Sequence, residues 1–315
     1  MDVGVSIPRH IWDRKKIEDY ARVIDDGPFS SINFGERICF EGHDSMMTLG
    51  ILAGLTKRVK LMNGVLILPI HNPVLLAKQA ATLYHLSGGR YSMGVGTGPR
   101  KPEFDATRGD WYRRGKTFEQ SIHVMRRVWA GQPPYDDVID NPPPNRKAIS
   151  TKDTPFVWEN NATTTEPVPP VVPDNGLKVY FGGFSDVQLK RAGRLADGLN
   201  SFEFAPDPKV HMDRYAIMKA AWDEAGRPGK PKMIASTFFA LGPDAENVYR
   251  QGIADAYGYD EDVKKWALGA RGLTSAQAIR DAVARFEDAG IDELNFAGAH
   301  YMPPDGLKML ADAIA

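Results

Sequence analysis

The chain holds 315 residues, 43% apolar and 25% charged, with a formal net charge of −1. That balance predicts a soluble globular protein and lacks the basic surplus that nucleic-acid binding needs. The lone cysteine, Cys39, rules out a disulfide framework, and the lack of a long apolar run or leader-like N-terminus points to the cytoplasm.

From the N-terminus, short β-like runs alternate with helix-length amphipathic segments, the pattern of an α/β fold. Residues 2–8 predict a first strand, 14–25 a first helix and 30–37 a second strand. The second helix, 44–56, has Asp44 as its expected N-cap and apolar residues at Met46, Met47, Leu49, Leu52 and Leu55. Residues 59–68 read as an almost wholly apolar third strand, as burial on both faces requires. Asn72 then caps the third helix, with Pro73 at its first position. The stretch LSGGRYSMGVGTG, Leu86 to Gly98, supplies a turn, the fourth strand and a glycine cluster, and a fourth helix covers about 114–130. Three more strands are expected at 178–183, 198–204 and 232–241, followed by helices at 186–196, 208–226 and, broken, 244–269. A further helix at 275–289 opens on the capping-box pattern Thr274-Ser275-Ala276-Gln277 and ends at Gly290. The eighth strand is 291–298, and a last helix closes the chain.

Eight strand–helix units without a G-x-G-x-x-G fingerprint predict a (β/α)8 TIM barrel rather than a doubly wound sheet, with residues 1–315 in one domain. From Gly131 to Leu177 the alternation stops; ten of the 23 prolines lie there, with an apolar Phe156-Val157-Trp158 cluster among them. This is an expected insertion after the fourth helix, covering one face of the barrel as a lid or as a plain loop.

Barrel enzymes build their sites from the residues just after each strand. Here those are Arg9 and His10; Glu36, Arg37 and His43; Asn63, Gly64, Val65 and His71; Gly96, Thr97, Gly98, Arg100 and Glu103; and Gly182, Gly183, Phe184 and Ser185. At the fifth exit, Ser185-Asp186-Val187-Gln188 predicts a helix start behind two glycines, so that bare amides and the helix dipole would face an anion. With Thr97 on the neighbouring exit, the pair reads either as one phosphate pocket or as two tight turns. No His-Glu-x-x-His or Gly-x-Ser-x-Gly occurs, so neither a metal site nor a serine nucleophile is expected. Trp12, Trp111, Tyr112 and Trp158 are candidates for an apolar pocket, with core packing as their competing role.

Three blocks, HNPVLLAKQAATLYHLSGGRYSMGVGTG (71–98), RRGKTFEQSIHVMRRVWAG (113–131) and KVYFGGFSDVQLKRAGRLADGLN (178–200), resemble the bacterial luciferase-like family. That family comprises flavin-dependent monooxygenases and deazaflavin F420-dependent oxidoreductases on a (β/α)8 barrel with an insertion after the fourth helix. The resemblance implies a cofactor at the barrel mouth. Asn63, Gly64 and Val65 would back its ring, Gly64–Val65 matching a bulge on strand three that in deazaflavin-dependent members contains a non-prolyl cis peptide. Gly96, Thr97 and Gly98 would line it, and Gly182, Gly183, Phe184 and Ser185 would hold its phosphate.

Some F420-using members carry an Asp-His pair after strand two, where this chain has Glu36-Arg37. Glu103 stands six residues after Thr97, where those members place an acid, and it is with His43 the expected proton-handling residue. The resemblance thus implies a monooxygenase that uses reduced FMN and O2 on a small organic substrate, with a separate flavin reductase as a candidate partner. Its alternatives are an F420-dependent reductase or dehydrogenase that transfers hydride without O2, and a flavin-binding barrel without turnover. It also implies a homodimer through the helices at 44–56 and 73–86.

Overall fold

The computed structural model describes residues 1–8, 13–132, 134–135, 172, 176–258, 260–298 and 304–315. Strand β1 (Asp2–Ser6) pairs in parallel with both β2 (Ser31–Phe34) and β9 (Glu293–Gly298), the last strand of the chain. From β9 the sheet runs through β8 (Lys232–Phe239), β7 (Gly198–Phe202), β6 (Val179–Phe181) and β5 (Tyr91–Gly96), all in parallel. On the other side β2 pairs with β3 (Lys60–Asn63), and β3 pairs with β5, which closes the ring. The remaining piece, β4 (Leu66–Ile67), pairs further along β5 and is the upper half of the β3 stave. Eight staves form a closed parallel barrel.

The apolar run predicts one unbroken third strand, and the structure divides it at the bulge that the family resemblance implies. The chain loses step at Gly64–Val65, where the peptide bond is cis. The Gly64 amide still donates to the Phe34 carbonyl at 3.1 Å, and the Val65 carbonyl accepts from the Glu36 amide at 3.1 Å. Both ends of the bulge are therefore held by the neighbouring strand exit rather than left unsatisfied.

The wall is wrapped by α1 (Arg14–Asp26), α2 (Ser45–Leu55), α3 (Pro73–Leu86), α5 (Arg114–Trp129), α6 (Asp186–Leu195), α7 (Pro208–Glu224), α10 (Ala276–Asp288) and α11 (Pro304–Ile314). Asp44, Asn72 and Ser185 cap their helices as the sequence predicts, Asp44 taking the Met47 amide at 2.8 Å. Outward-facing residues such as Val5, Ile32, Leu61, Met93, Phe181, Leu199, Ala235 and Phe296 are buried against these helices in one continuous core. Their alternates point into the lumen. There Met62, Tyr180 and Ile234, from β3, β6 and β8, meet in a small cluster of their own.

Several boundaries differ from expectation. A short helix, α4 (Lys101–Thr107), stands between the glycine cluster and α5, with Pro102 in its first turn. The broken stretch after β8 is two helices, α8 (Ala245–Tyr257) and α9 (Glu261–Gly269). The N-cap of α10 is Ser275, which takes the Ala278 amide at 3.2 Å, while the Thr274 hydroxyl turns to Glu246. Gly290, at φ +79°, follows the C-cap Ala289. The insertion begins after α5, and Phe156, Val157 and Trp158, together with Arg9, His10 and Trp12, lie outside the described residues. Among the described residues no helix is long and apolar enough to cross a membrane.

Candidate active site

The glycine cluster exists because of its neighbour. A Cβ at Gly94 would lie 2.0 Å from the Asn63 carbonyl oxygen, one at Gly96 3.1 Å from Val65 Cγ2, and one at Gly182 3.2 Å from Val65 Cγ1. The broken stave leans on β5 and β6, and only residues without side chains leave it room. Gly98 serves a different need: its φ is +76°, and a Cβ there would meet Ile67 and Phe104. Thr97 sits between the two, half-buried at the rim.

The result is a smooth wall at the C-terminal mouth. Gly64 is exposed and Val65 partly so, while Asn63 is fully buried behind them. Asn63 points out of the barrel, accepting from the Tyr91 hydroxyl and donating to Ser45 Oγ at 3.3 Å. Burial, and after it the Glu36 charge, raise the Tyr91 phenol far above its usual range, so it stays a neutral donor. Asn63 thus anchors the wall instead of lining it.

Glu36 locks the same wall from above. Its carboxylate is buried, takes the Ile67 amide at 2.8 Å and meets His71 Nε2 at 3.0 Å. Together with the Glu36 amide on Val65, one residue holds both flanks of the bulge. A buried carboxylate needs such partners, since an unpaired one costs several kcal/mol, of order 2–5.

The expected proton-handling residues sit on the adjoining rim. Glu103, in the first turn of α4, is buried; its Oε1 accepts from Arg37 Nε at 3.1 Å and from the Ile38 amide at 3.3 Å. It ties the loop after β2 to α4. His43 is half-buried in the same loop, one residue before the N-cap of α2. The pairing of Glu36 with His71 joins residues 35 apart and had no signal in the sequence beyond their both following strands.

The β6 exit carries the second glycine pair. Gly182 is buried against Val65; Gly183 has φ +154° and precedes the exposed Phe184 and Ser185. Ser185 takes the Gln188 amide, and the amides of Asp186 and Val187 have no carbonyl behind them within the helix. The Gln188 side chain reaches the Gly182 carbonyl at 3.4 Å and Arg191 at 2.6 Å. The Arg214 guanidinium, paired to Glu203 at 2.8 Å, lies 4.9 Å from the centre of the Phe184 ring.

Two further sectors complete the mouth. The lumen floor is polar: Asn33 donates to Asn295 at 2.7 Å, Asn295 to Ser6 at 3.0 Å and to Ser236 at 3.3 Å, and Ser236 to Asn200 at 3.3 Å. On β7 and β8 the rim is aromatic, with Phe202 and Phe238 at 5.3 Å between ring centres. Trp111 packs between Phe104 and Arg114, and Tyr112 is exposed at the surface. Among the described residues, no three His, Cys, Asp or Glu side chains stand close enough to hold a metal ion.

The family profile described as luciferase-like monooxygenase matches residues 1–278. The chain belongs to that family. An uncharacterised protein of Mycobacterium bovis is 32% identical to this luciferase-like chain over 199 residues, 61% of this chain and 60% of that relative. The chain thus matches about three fifths of the length of such relatives. Among solved structures, an F420-dependent secondary alcohol dehydrogenase in complex with an F420–acetone adduct superposes with a TM-score of 0.74 at 18% identity, covering 99% of this chain and 97% of its own. A type II Baeyer–Villiger monooxygenase, the oxygenating constituent of 3,6-diketocamphane monooxygenase from the CAM plasmid of Pseudomonas putida, in complex with FMN, does so at 0.71 and 16%, covering 100% and 98%. Both likenesses are those of the shared barrel fold.

Proposed function

We propose that this luciferase-like chain is a flavin-dependent monooxygenase, taking reduced FMN and O2 to a small organic substrate. The wall at Gly64–Val65, open to the mouth because Gly94, Gly96 and Gly182 make room for it, supports a flat-ring cofactor, and membership of the luciferase-like monooxygenase family favours FMN as that cofactor. A planar ring needs such a face, and the residues present fit one. The first turn of α6 behind Gly182 and Gly183, with Arg214 beside Phe184, suits the phosphate of the same molecule.

Bound there, reduced FMN supplies the two electrons that O2 activation requires. The chain supplies the rest. Val65 and Gly64 set the ring plane, Glu36 keeps the bulge in place through Ile67, and Glu103 fixes the loop after β2 through Arg37 and Ile38. His71 Nε2, against the Glu36 carboxylate, is placed to pass a proton at the rim, with His43 in the loop before α2 as the second candidate. A separate flavin reductase supplies the reduced cofactor.

The second reading, F420-dependent hydride transfer without O2, rests on Glu103, buried at the rim six residues after Thr97. Oxygen uptake separates the two. Stopped-flow mixing of the protein and reduced FMN with aerated buffer, with and without candidate substrates, is expected to consume one O2 per flavin in both cases, with hydrogen peroxide replaced by water and oxygenated product when the right substrate is present. Hydride transfer to F420 without O2 uptake would replace the first reading with the second.

The chain's partner is proposed to be a second copy. On α2, Met47 and Ile51 are 70% and 53% exposed and share a stripe with Leu55, and Leu75 on α3 is 58% exposed. Such a patch on a helix pair is a surface for association.

A further inference from the structure

We infer that the mouth takes a flat aromatic substrate bearing one hydrogen-bonding group, and that Phe202 and Phe238 select it. This rests on the barrel-mouth reading above and names the substrate class for that site. Phe202 stands two residues beyond Asn200 on β7, and Phe238 two beyond Ser236 on β8. Asn200 and Ser236 hydrogen-bond to each other in the lumen. The strand period of two therefore places both phenyl rings on the lumen side, one layer nearer the mouth.

The two rings stand edge to face, with an interplanar angle of 77°. Phe204 supports them from behind, 5.0 Å from Phe202 and 6.0 Å from Phe238, and is itself braced by Tyr257 at 4.9 Å and Trp266 at 4.6 Å. Phe204, Ala240, Tyr249, Ile253 and Ala267 form a closed core beneath α8 and α9. Phe202 and Phe238 pack against this core, Phe238 also 6.1 Å from the Tyr257 ring, and both remain half-buried. Rings held this way offer a third ring an offset or edge-on seat that an aliphatic ligand of equal area cannot exploit.

The layer below decides the rest of the ligand. Asn200 and Ser236 lie directly under the phenyl pair, so a hydroxyl or amide on the inner edge of the substrate meets polar partners there. The glycine–valine wall on β4, β5 and β6 is a separate sector, which leaves the cofactor ring its own face. The substrate is then an aromatic molecule of phenol type, lying between that wall and the two phenyl groups.

The test is anaerobic titration calorimetry of the purified chain with 2-naphthol and with its saturated analogue decahydro-2-naphthol, each with and without reduced FMN. We expect 2-naphthol to bind about tenfold more tightly, the size of one or two ring–ring contacts. Phe238→Leu and Phe202→Leu are each expected to cut the preference below about threefold, and Phe238→Tyr to retain it. Equal affinities in the natural protein, binding of neither compound, or a preference unchanged in both leucine variants would overturn the inference. FMN binding with no aromatic preference refutes the substrate class alone. Aromatic preference without binding of reduced FMN instead refutes the cofactor reading and upholds the aromatic seat.

Discussion

The carboxylate of Glu36 and the ring of His71 meet at 3.0 Å above the point where the third stave breaks, and the same carboxylate takes the Ile67 amide. Replacing Glu36 by alanine leaves that amide buried without an acceptor, at a cost of about 2–3 kcal/mol. In a protein of this size each kcal/mol lowers Tm by roughly 1.5 °C. Glu36→Gln keeps an acceptor for Ile67 and is expected to lose less than half as much. Calorimetric melts of the two variants check the ordering; equal losses would mean that the carboxylate does not hold the bulge.

The glycines make a graded series. Gly94→Ala would drive a methyl into the Asn63 carbonyl, 2.0 Å away, and is expected to cost about 3 kcal/mol or more. Gly96→Ala and Gly182→Ala press closest on Val65 methyl groups, at 3.1 and 3.2 Å, with the nearest carbonyl oxygens at ordinary contact distance, so each is expected to fold with a loss of about 1 kcal/mol. Because both push Val65 towards the mouth, both should weaken cofactor binding more than stability. Denaturant midpoints beside FMN titrations measure the two effects separately. Unaltered FMN affinity in both variants would remove Val65 from the ring's wall.

If the apolar stripe on α2 is covered by a second copy, one charge in it suffices to part the pair. Ile51→Lys, at a position 53% exposed in the single chain, should leave the monomer's fold and melt nearly unchanged. Light scattering behind size exclusion is expected to give twice the 34.8 kDa chain mass for the natural protein and the single mass for the variant. A monomeric natural protein would contradict the proposal outright.

His211 predicts a pH dependence. It is fully buried on α7, with Nδ1 2.9 Å from Ser201 Oγ, and burial, helped by the Arg214 charge, lowers its pKa to about 3. An unfolded histidine titrates near 6.5. The unfolded chain therefore binds the extra proton between those values, and stability, complete above about 6.5, falls as the pH drops towards 3. This one group contributes a slope of up to about 1.4 kcal/mol per pH unit in that window. His211→Asn should flatten the Tm profile between pH 6.5 and 5. An identical slope in the variant would show that other groups carry it.

Helix starts were legible in the sequence because they are local. Asp44, Asn72 and Ser185 each cap the helix whose apolar pattern follows within a turn. The barrel followed from the count of strand–helix units. What escaped was set by contacts across strands. The break at Gly64–Val65 lies inside an apolar run that looks continuous, so only the family resemblance pointed to it, and its cause is spread over Phe34, Glu36, Gly94, Gly96 and Gly182. The helix α4 was hidden by its length of seven residues, too short for a periodic pattern to declare itself. Asn63 was expected among the lining residues because it adjoins Gly64, yet the strand period turns it outward to Tyr91 and Ser45.

The central claim is that the wall at Gly64–Val65 receives the ring of a reduced flavin. Equilibrium binding of FMN and of F420 to the purified protein, each oxidised and reduced and followed by fluorescence, tests it most directly. The account predicts a clear preference for reduced FMN, at micromolar affinity or better. Tight F420 binding with indifference to FMN would contradict the monooxygenase reading, and binding of neither would reduce the glycine-rich exits to tight turns.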